Sequence, residues 1–330
     1  MSSDWVNKTV FVTGGSGFVG ANLVKRLVEE GSNVVVLERD RTSPNSLDVF
    51  QLRERVVVIN GSVEDLTLME RVLNEYQPSH VFHLAAQALV NAANRSPFST
   101  FEANIRGTYV LLEACRRAVP QPVIVVASSD KAYGSHDTLP YSEDFALRGT
   151  FPYDVSKSCT DLIAQSYAHT YSMRVSVTRS ANIYGPADMN LSRVIPGTIV
   201  SVLRSERPIV RSDGTPVREF IHVDDVVDGY LTIAQNMVRT SGEAFNFGSD
   251  EPVQILDLVN QIIRLSGRDS DLLPMVLLDR KIEREIDAQF LSGEKIASVL
   301  NWRPRIGLEV GLASSLAWYR EHLDLFRATP

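Results

Sequence analysis

Two stretches set reactive side chains at spacings that chemistry can use. The first, "VASSDKAYG" (126–134), follows an apolar run and places Ser129, Asp130 and Lys131 side by side. Such residues also crowd ordinary surface turns for local hydrogen-bonding reasons, so this run alone decides nothing. The second is Tyr153 with Lys157 in "PYDVSKS". On a helix, that four-residue spacing puts the phenol and the ammonium on one face. A tyrosine with an ordinary pKa of about 10 is a poor base near neutrality. A neighbouring positive charge stabilises the phenolate and makes it a usable proton acceptor. A surface lysine beside a half-buried tyrosine is the idle alternative, and what positions these groups decides between the two.

The positioning elements are strands alternating with helices. "TVFVTG" (9–14), "NVVVLE" (33–38), "RVVVIN" (55–60), "HVFHLAA" (80–86), "PVIVVAS" (122–128) and "RVSVTRS" (174–180) are short β-branched runs, apolar throughout or nearly so. Such runs suit strands buried on both faces of a parallel sheet. Helical patterns fall at 17–30, 65–76, 100–118 and 152–171, the last opening on Pro152. The alternation predicts an α/β, Rossmann-type doubly wound sheet. It occupies 1–180, with a strand near 243–249 returning to it. A smaller, more irregular unit over 181–330, rich in Gly and Pro turns, makes the boundary discontinuous. Ser129 then stands at the end of the fifth strand and Tyr153 with Lys157 on the long helix after it. In a regular strand successive side chains alternate faces, so Ser129, Asp130 and Lys131 converge only if the strand has ended in a turn.

Between the first strand and first helix lies "TGGSGFVG", with Gly14, Gly17 and Gly20 three residues apart. Glycines there permit a tight turn and let the backbone approach a pyrophosphate at the helix N-terminus. Glu38 ends the second strand, where an acidic side chain takes both ribose hydroxyls and repels a 2′-phosphate. This favours NAD; Arg39 and Arg41 leave NADP as the alternative. The positive nicotinamide ring is then a second charge able to stabilise a Tyr153 phenolate.

Composition bounds the rest. The 330 residues carry a net charge of −7, against a general nucleic-acid footprint, and 44% apolar content is that of a soluble globular protein. The two cysteines suggest neither a disulfide framework nor a zinc site. His80 and His83 have no partners at metal-binding spacing. No apolar run approaches the ~20 residues that span a bilayer, and no signal segment opens the chain, so a cytoplasmic location is expected.

Gly14-x-x-Gly17-x-x-Gly20, "NIRGT" with Asn104, Ser129 and Tyr153-x-x-x-Lys157 resemble the extended short-chain dehydrogenase/reductases. "NIYGP" and "DGTPVREFIHVDD" are similar to that family's nucleotide-sugar epimerases and dehydratases. The resemblance covers nearly the whole chain. It implies that Phe18, Val19, Ser62, Val63, Leu84, Ala85, Ala86 and Asn104 lie along NAD with the glycines, Glu38 and Arg39. It also implies that Ser129 bonds a sugar 4-hydroxyl, that Asn182 and Arg193 contact the nucleotide and sugar, and that Arg218 holds the diphosphate, with Arg284 as a second candidate. A homodimer through helices 100–118 and 152–171 is implied too. Ser62 departs from the family's adenine-contacting aspartate, and Ser292 from an aspartate usual in the dehydratases.

Asp130-Lys131 is most similar to the acid-lysine pair of the 4,6-dehydratases, with CDP-glucose the leading expected substrate. In that chemistry Tyr153 takes the 4-hydroxyl proton, Lys131 as a neutral amine takes the C5 proton, and Asp130 as a neutral acid protonates the departing 6-hydroxyl. A 4-epimerase would need only Ser129, Tyr153 and Lys157. A non-catalytic dinucleotide sensor on the same fold is the alternative from another class.

Overall fold

The apolar runs become β1 (Thr9–Thr13), β2 (Asn33–Glu38), β3 (Val57–Asn60), β4 (His80–His83), β5 (Val123–Ala127) and β6 (Val175–Ser180) in a computed structural model of the chain. The structure describes residues 4–42, 44–268, 271–277 and 286–326. The strand Ala244–Phe247 pairs in parallel with β6 and completes a seven-stranded sheet. Its order is Ala244–Phe247, β6, β5, β4, β1, β2, β3, parallel throughout.

The pleat explains the continuous apolarity. Val10, Val12, Val34, Val36 and Val125 face one core, with Leu23 and Leu27 from the helix Phe18–Glu29. Phe11, Val35, Leu37, Ile124 and Val126 face the other, with Val72 and Leu111 from the helices Leu66–Tyr76 and Gly107–Arg117. Both faces are buried, so neither can be polar.

Two expected elements differ. The fourth strand stops at His83: the Leu84 amide makes the last ladder bond, to the Thr13 carbonyl, and the Ala85 amide turns to the Thr13 hydroxyl instead. The helix expected over 100–118 contains a wider π turn, Glu102–Arg106. There the Asn104 carbonyl accepts from the hydroxyls of Thr108 (2.6 Å) and Thr160 (2.8 Å), partners from outside the helical ladder.

The second unit is built on the strand Val217–His222. Asn182–Tyr184 and Ala288–Gln289 pair with it in parallel, and Pro252–Gln254 antiparallel. Its own core joins Tyr184, Ile199, Leu258, Leu312 and Tyr319. Among the described residues no helix is long and apolar enough to cross a membrane.

Candidate active site

Around β1 the strand order reverses, and an open parallel sheet has its crevice at such a point. The glycine turn occupies it. Gly14 has φ +72°, and a Cβ there would lie 2.7 Å from the Ala85 amide nitrogen; one on Gly20 would collide with the Gly14 carbonyl. The helix Phe18–Glu29 starts with no side-chain cap and no acidic residue in its first turn. Its first amides therefore suit an anion. Ser62 and Val63 follow β3, and Leu84, Ala85 and Ala86 follow β4, at the same edge.

Glu38 is buried at the end of β2, and its carboxylate is clasped. Arg53 donates to both oxygens (3.0 and 2.9 Å), and the Asn45 amide donates to one (3.1 Å). The Arg53 Nε is held by Asp48 (2.7 Å). These carboxylates push the guanidinium above its ordinary range. The clasp fixes the carboxylate in one orientation and leaves a lone pair on Oε2 suited to a ribose hydroxyl. Arg39 is instead exposed and paired with Asp40 at 2.6 Å. A close-approach turn, uncapped helix amides and an oriented acid together fit a dinucleotide.

Asn104 is placed less directly than the resemblance implied. Its side chain donates to the Gln87 carbonyl (3.1 Å) and Ser156 hydroxyl (2.8 Å) and accepts from the Gln87 amide (2.7 Å). It pins the loop that follows β4.

The stretch 126–134 is a strand end followed by a turn. β5 stops at Ala127, Ser129 stays extended, and Asp130–Tyr133 forms one turn of 3₁₀-helix. This break in alternation lets three consecutive side chains converge. Ser129 donates to Asp130 Oδ1 at 2.9 Å, and Lys131 Nζ lies 3.1 Å from Asp130 Oδ2. The acid and the amine thus meet as an ion pair here, where the chemistry expected of them needs both neutral.

The helix Pro152–Tyr171 is stitched to this turn. Ser158 donates to the Ala132 carbonyl (2.8 Å), Ser128 to the Lys157 carbonyl (3.2 Å), and Lys157 Nζ to the Ala127 carbonyl (2.7 Å). Asp161 grips Arg179 of β6 through two bonds of 2.7 and 3.0 Å. Burial pushes the Tyr153 phenol up to about 12, opposed by its hydrogen bond with Ser129. Burial pulls Lys157 down to about 8, opposed by Asp161. The phenol is therefore a neutral donor in this state, and its use as a base belongs to a state holding further positive charge. Asp154, the next residue along the helix after Tyr153, is pushed up to about 6 by burial, opposed by the nearby Lys131.

A cleft of about 680 Å³ opens over these groups. It brings together Ser129, Asp130, Lys131, Tyr153 and Val19 with Asn182, Arg193 and Arg218 from the second unit. Arg193 is held by the buried Asp188 (2.9 Å) and lies over the Phe18 ring (5.8 Å), touching the glycine turn as well as the cleft. Asn182 donates to the Glu219 carbonyl at 3.0 Å. Arg284 lies outside the described residues. Arg95 also lines the cleft, and nothing in its spacing singled it out. Nor did spacing reveal Gln289, whose carboxamide oxygen accepts from Lys131 Nζ at 2.6 Å from a two-residue strand near the C-terminus.

Residues 10–248 match the NAD dependent epimerase/dehydratase family. The dTDP-D-glucose 4,6-dehydratase of Bos taurus is 28% identical over 96% of this chain and 89% of its own. The CDP-glucose 4,6-dehydratase of Salmonella typhimurium is 28% identical over 96% and 91%. UDP-glucuronate 4-epimerase 2 of Arabidopsis thaliana is 30% identical over 94% and 75%. Among solved structures, the UDP-glucose 4-epimerase of Thermotoga maritima superposes with a TM-score of 0.86 at 29% identity, covering 96% of this chain and 99% of that one. The dTDP-glucose 4,6-dehydratase of Bacillus anthracis, solved with NAD, gives 0.85 at 26%, covering 96% and 98%. A fold match over nearly the full length and a site built from the expected residue types agree: the chain is an enzyme of the NAD dependent epimerase/dehydratase family, with NAD as its cofactor.

Proposed function

We propose that the chain is a nucleotide-sugar 4,6-dehydratase, with CDP-glucose the first substrate to test. One observation carries the reading: Asp130 and Lys131 share the cleft wall with Ser129 and Tyr153, an acid and an amine that a simple epimerisation does not need. Arg193 and Arg218 supply guanidinium donors suited to a diphosphate.

NAD, held along the glycine turn and Glu38, would supply the hydride acceptor for C4 and the hydride donor for C6. Tyr153, with Ser129, receives the 4-hydroxyl proton as the C4 ketone forms. Lys157 adds positive charge beside the phenol and holds its own place on the Ala127 carbonyl. The ketone acidifies C5. Lys131 takes that proton, the C5–H electron pair becomes the C5–C6 double bond, and the C6–O bond breaks. Asp130 delivers the proton that lets the hydroxyl leave as water. Lys131 returns its proton to C5 as C6 is reduced, so the sugar loses one water and undergoes no net oxidation. Entry of the sugar between Asp130 and Lys131 must therefore open their ion pair and leave each neutral.

The second reading is a nucleotide-sugar 4-epimerase, favoured by the closure of the Asp130–Lys131 pair on itself and by the relatives of that activity. Purified protein incubated with NAD and CDP-, UDP-, GDP- and dTDP-hexoses, followed by mass spectrometry, separates the two. A product lighter by one water supports the dehydratase, and an isomer of unchanged mass overturns it. Asp130→Asn should then form the ketone yet stop before water loss, leaving reduced cofactor visible in absorbance.

A further inference from the structure

Gln289 sits behind the catalytic turn. It is 1% exposed and does not line the cleft, yet it contacts both members of the acid-amine pair. Its Nε2 donates to the Asp130 carbonyl at 3.0 Å, and its Oε1 accepts from Lys131 Nζ at 2.6 Å. The orientation of the amide is forced, because a backbone carbonyl can only accept and so requires the NH₂ end. The oxygen must then face Lys131.

Lys131 Nζ thus has two fixed acceptors, Gln289 Oε1 and Asp130 Oδ2. An ammonium carries three N–H groups, and a neutral amine two and a lone pair. With two directions taken, the third is left for the cleft that Lys131 lines. Once the sugar has parted the ion pair and the amine is neutral, the bond to Gln289 Oε1 is the contact that still holds Nζ, leaving the lone pair to face the cleft. A carboxylate in place of the amide would stabilise the protonated lysine; a hydrocarbon would leave the amine free to rotate.

The anchor is rigid. Ala288–Gln289 is paired in register with the strand Val217–His222, Gln289 opposite Arg218. Two residues on, the Leu291 amide donates to buried Glu219 at 3.0 Å. The second unit therefore presents Arg218 and Gln289 as neighbours, one lining the cleft and one fixed to the base.

We propose that Gln289 is the positioning residue for C5 deprotonation, aiming the Lys131 lone pair at the sugar. This rests on the dehydratase reading. Gln289 does not line the cleft that holds Ser129 and Tyr153, so its loss should separate the two halves of the reaction.

The test uses Gln289→Met, which keeps the volume and removes both polar contacts, and Gln289→Glu, which keeps the acceptor and adds charge. Each is incubated with NAD and the nucleotide sugar that the wild type dehydrates. C4 oxidation is followed as reduced cofactor in a single turnover, C5 deprotonation as deuterium uptake from heavy water, and product by mass. Both variants should oxidise C4 within a few-fold of wild type. They should lose C5 exchange and water loss by roughly 10²-fold, the scale of a displaced general base, and accumulate reduced cofactor. Wild-type rates of exchange and dehydration in both variants overturn the proposal, as does an equal fall in C4 oxidation and dehydration, which marks a merely structural residue. A wild-type protein that isomerises sugars without losing water overturns the dehydratase reading, and this proposal with it.

Discussion

Tyr153 and Lys157 share a buried helix face, and burial moves their titrations in opposite directions. The phenol rises to about 12 and the ammonium falls to about 8, because both sites disfavour charge. The positive nicotinamide ring of bound NAD should lower the phenol again. An ultraviolet difference titration of wild type against Tyr153→Phe should show Tyr153 ionising at lower pH in the enzyme–NAD complex than in free enzyme. An identical midpoint in both states contradicts this role, and Tyr153→Phe should itself abolish C4 oxidation. The lysine carries a cost in stability. Its folded value lies below the ordinary 10.5, so the penalty is full below about pH 8 and is relieved as pH rises from there towards 10.5. A shift of that size is worth about 3 kcal/mol, against about 1 kcal/mol for the lost bond to the Ala127 carbonyl. Lys157→Met should be inactive yet melt no lower than wild type at pH 7, with any advantage shrinking by pH 10. A lower Tm at pH 7 contradicts this account.

At the scale of elements, the glycine turn and the latch around Glu219 hold the two halves of the site. Gly20→Ala would drive a methyl group into the Gly14 carbonyl, so it should abolish NAD binding in a calorimetric titration while the fold persists. Glu219 accepts from the amides of Ser249 (2.8 Å), Asp250 (2.8 Å) and Leu291 (3.0 Å), tying two segments to the strand that bears Arg218. Glu219→Gln puts an NH₂ group against backbone donors and leaves at least one amide unpaired, a cost of about 1–3 kcal/mol. A measurably lower denaturation midpoint is expected, and an unchanged one contradicts the latch. Much of this scale was legible in advance. Continuous apolar runs and Gly14-x-x-Gly17-x-x-Gly20 are local signals, and they fall on β1–β6 and the turn after β1. The π turn at Glu102–Arg106 was not legible, since its cause lies partly in Thr160, which the chain brings close only by folding. The same holds for Arg53 and Gln289: each acts on a residue distant in sequence, from a segment with no periodicity of its own.

For the whole molecule, the helices Gly107–Arg117 and Pro152–Tyr171 present Tyr109 (41% exposed) and Leu162 (58% exposed) to solvent. We propose that these faces form the homodimer interface implied by the family resemblance. Light scattering of the purified chain should give a dimer, and Leu162→Arg should give a monomer that still binds NAD. A monomeric wild type contradicts the interface. The family resemblance points to these helices, but an apolar residue on a helix reads alike whether it meets the sheet, a second copy or water.

The strand Ala244–Phe247 has a bearing on how the gene can be handled. It covers the outer edge of β6, and its Asn246 accepts from the Tyr133 hydroxyl at 2.7 Å and donates to the Tyr141 carbonyl at 2.9 Å. A clone stopped after residue 180 would leave β6 as a bare edge, ready to pair with other chains and precipitate. The cofactor-binding half is therefore not a portable cassette. Shuffling it onto another second unit, or expressing it alone as an NAD-binding tag, would require carrying residues 244–247 along by circular permutation.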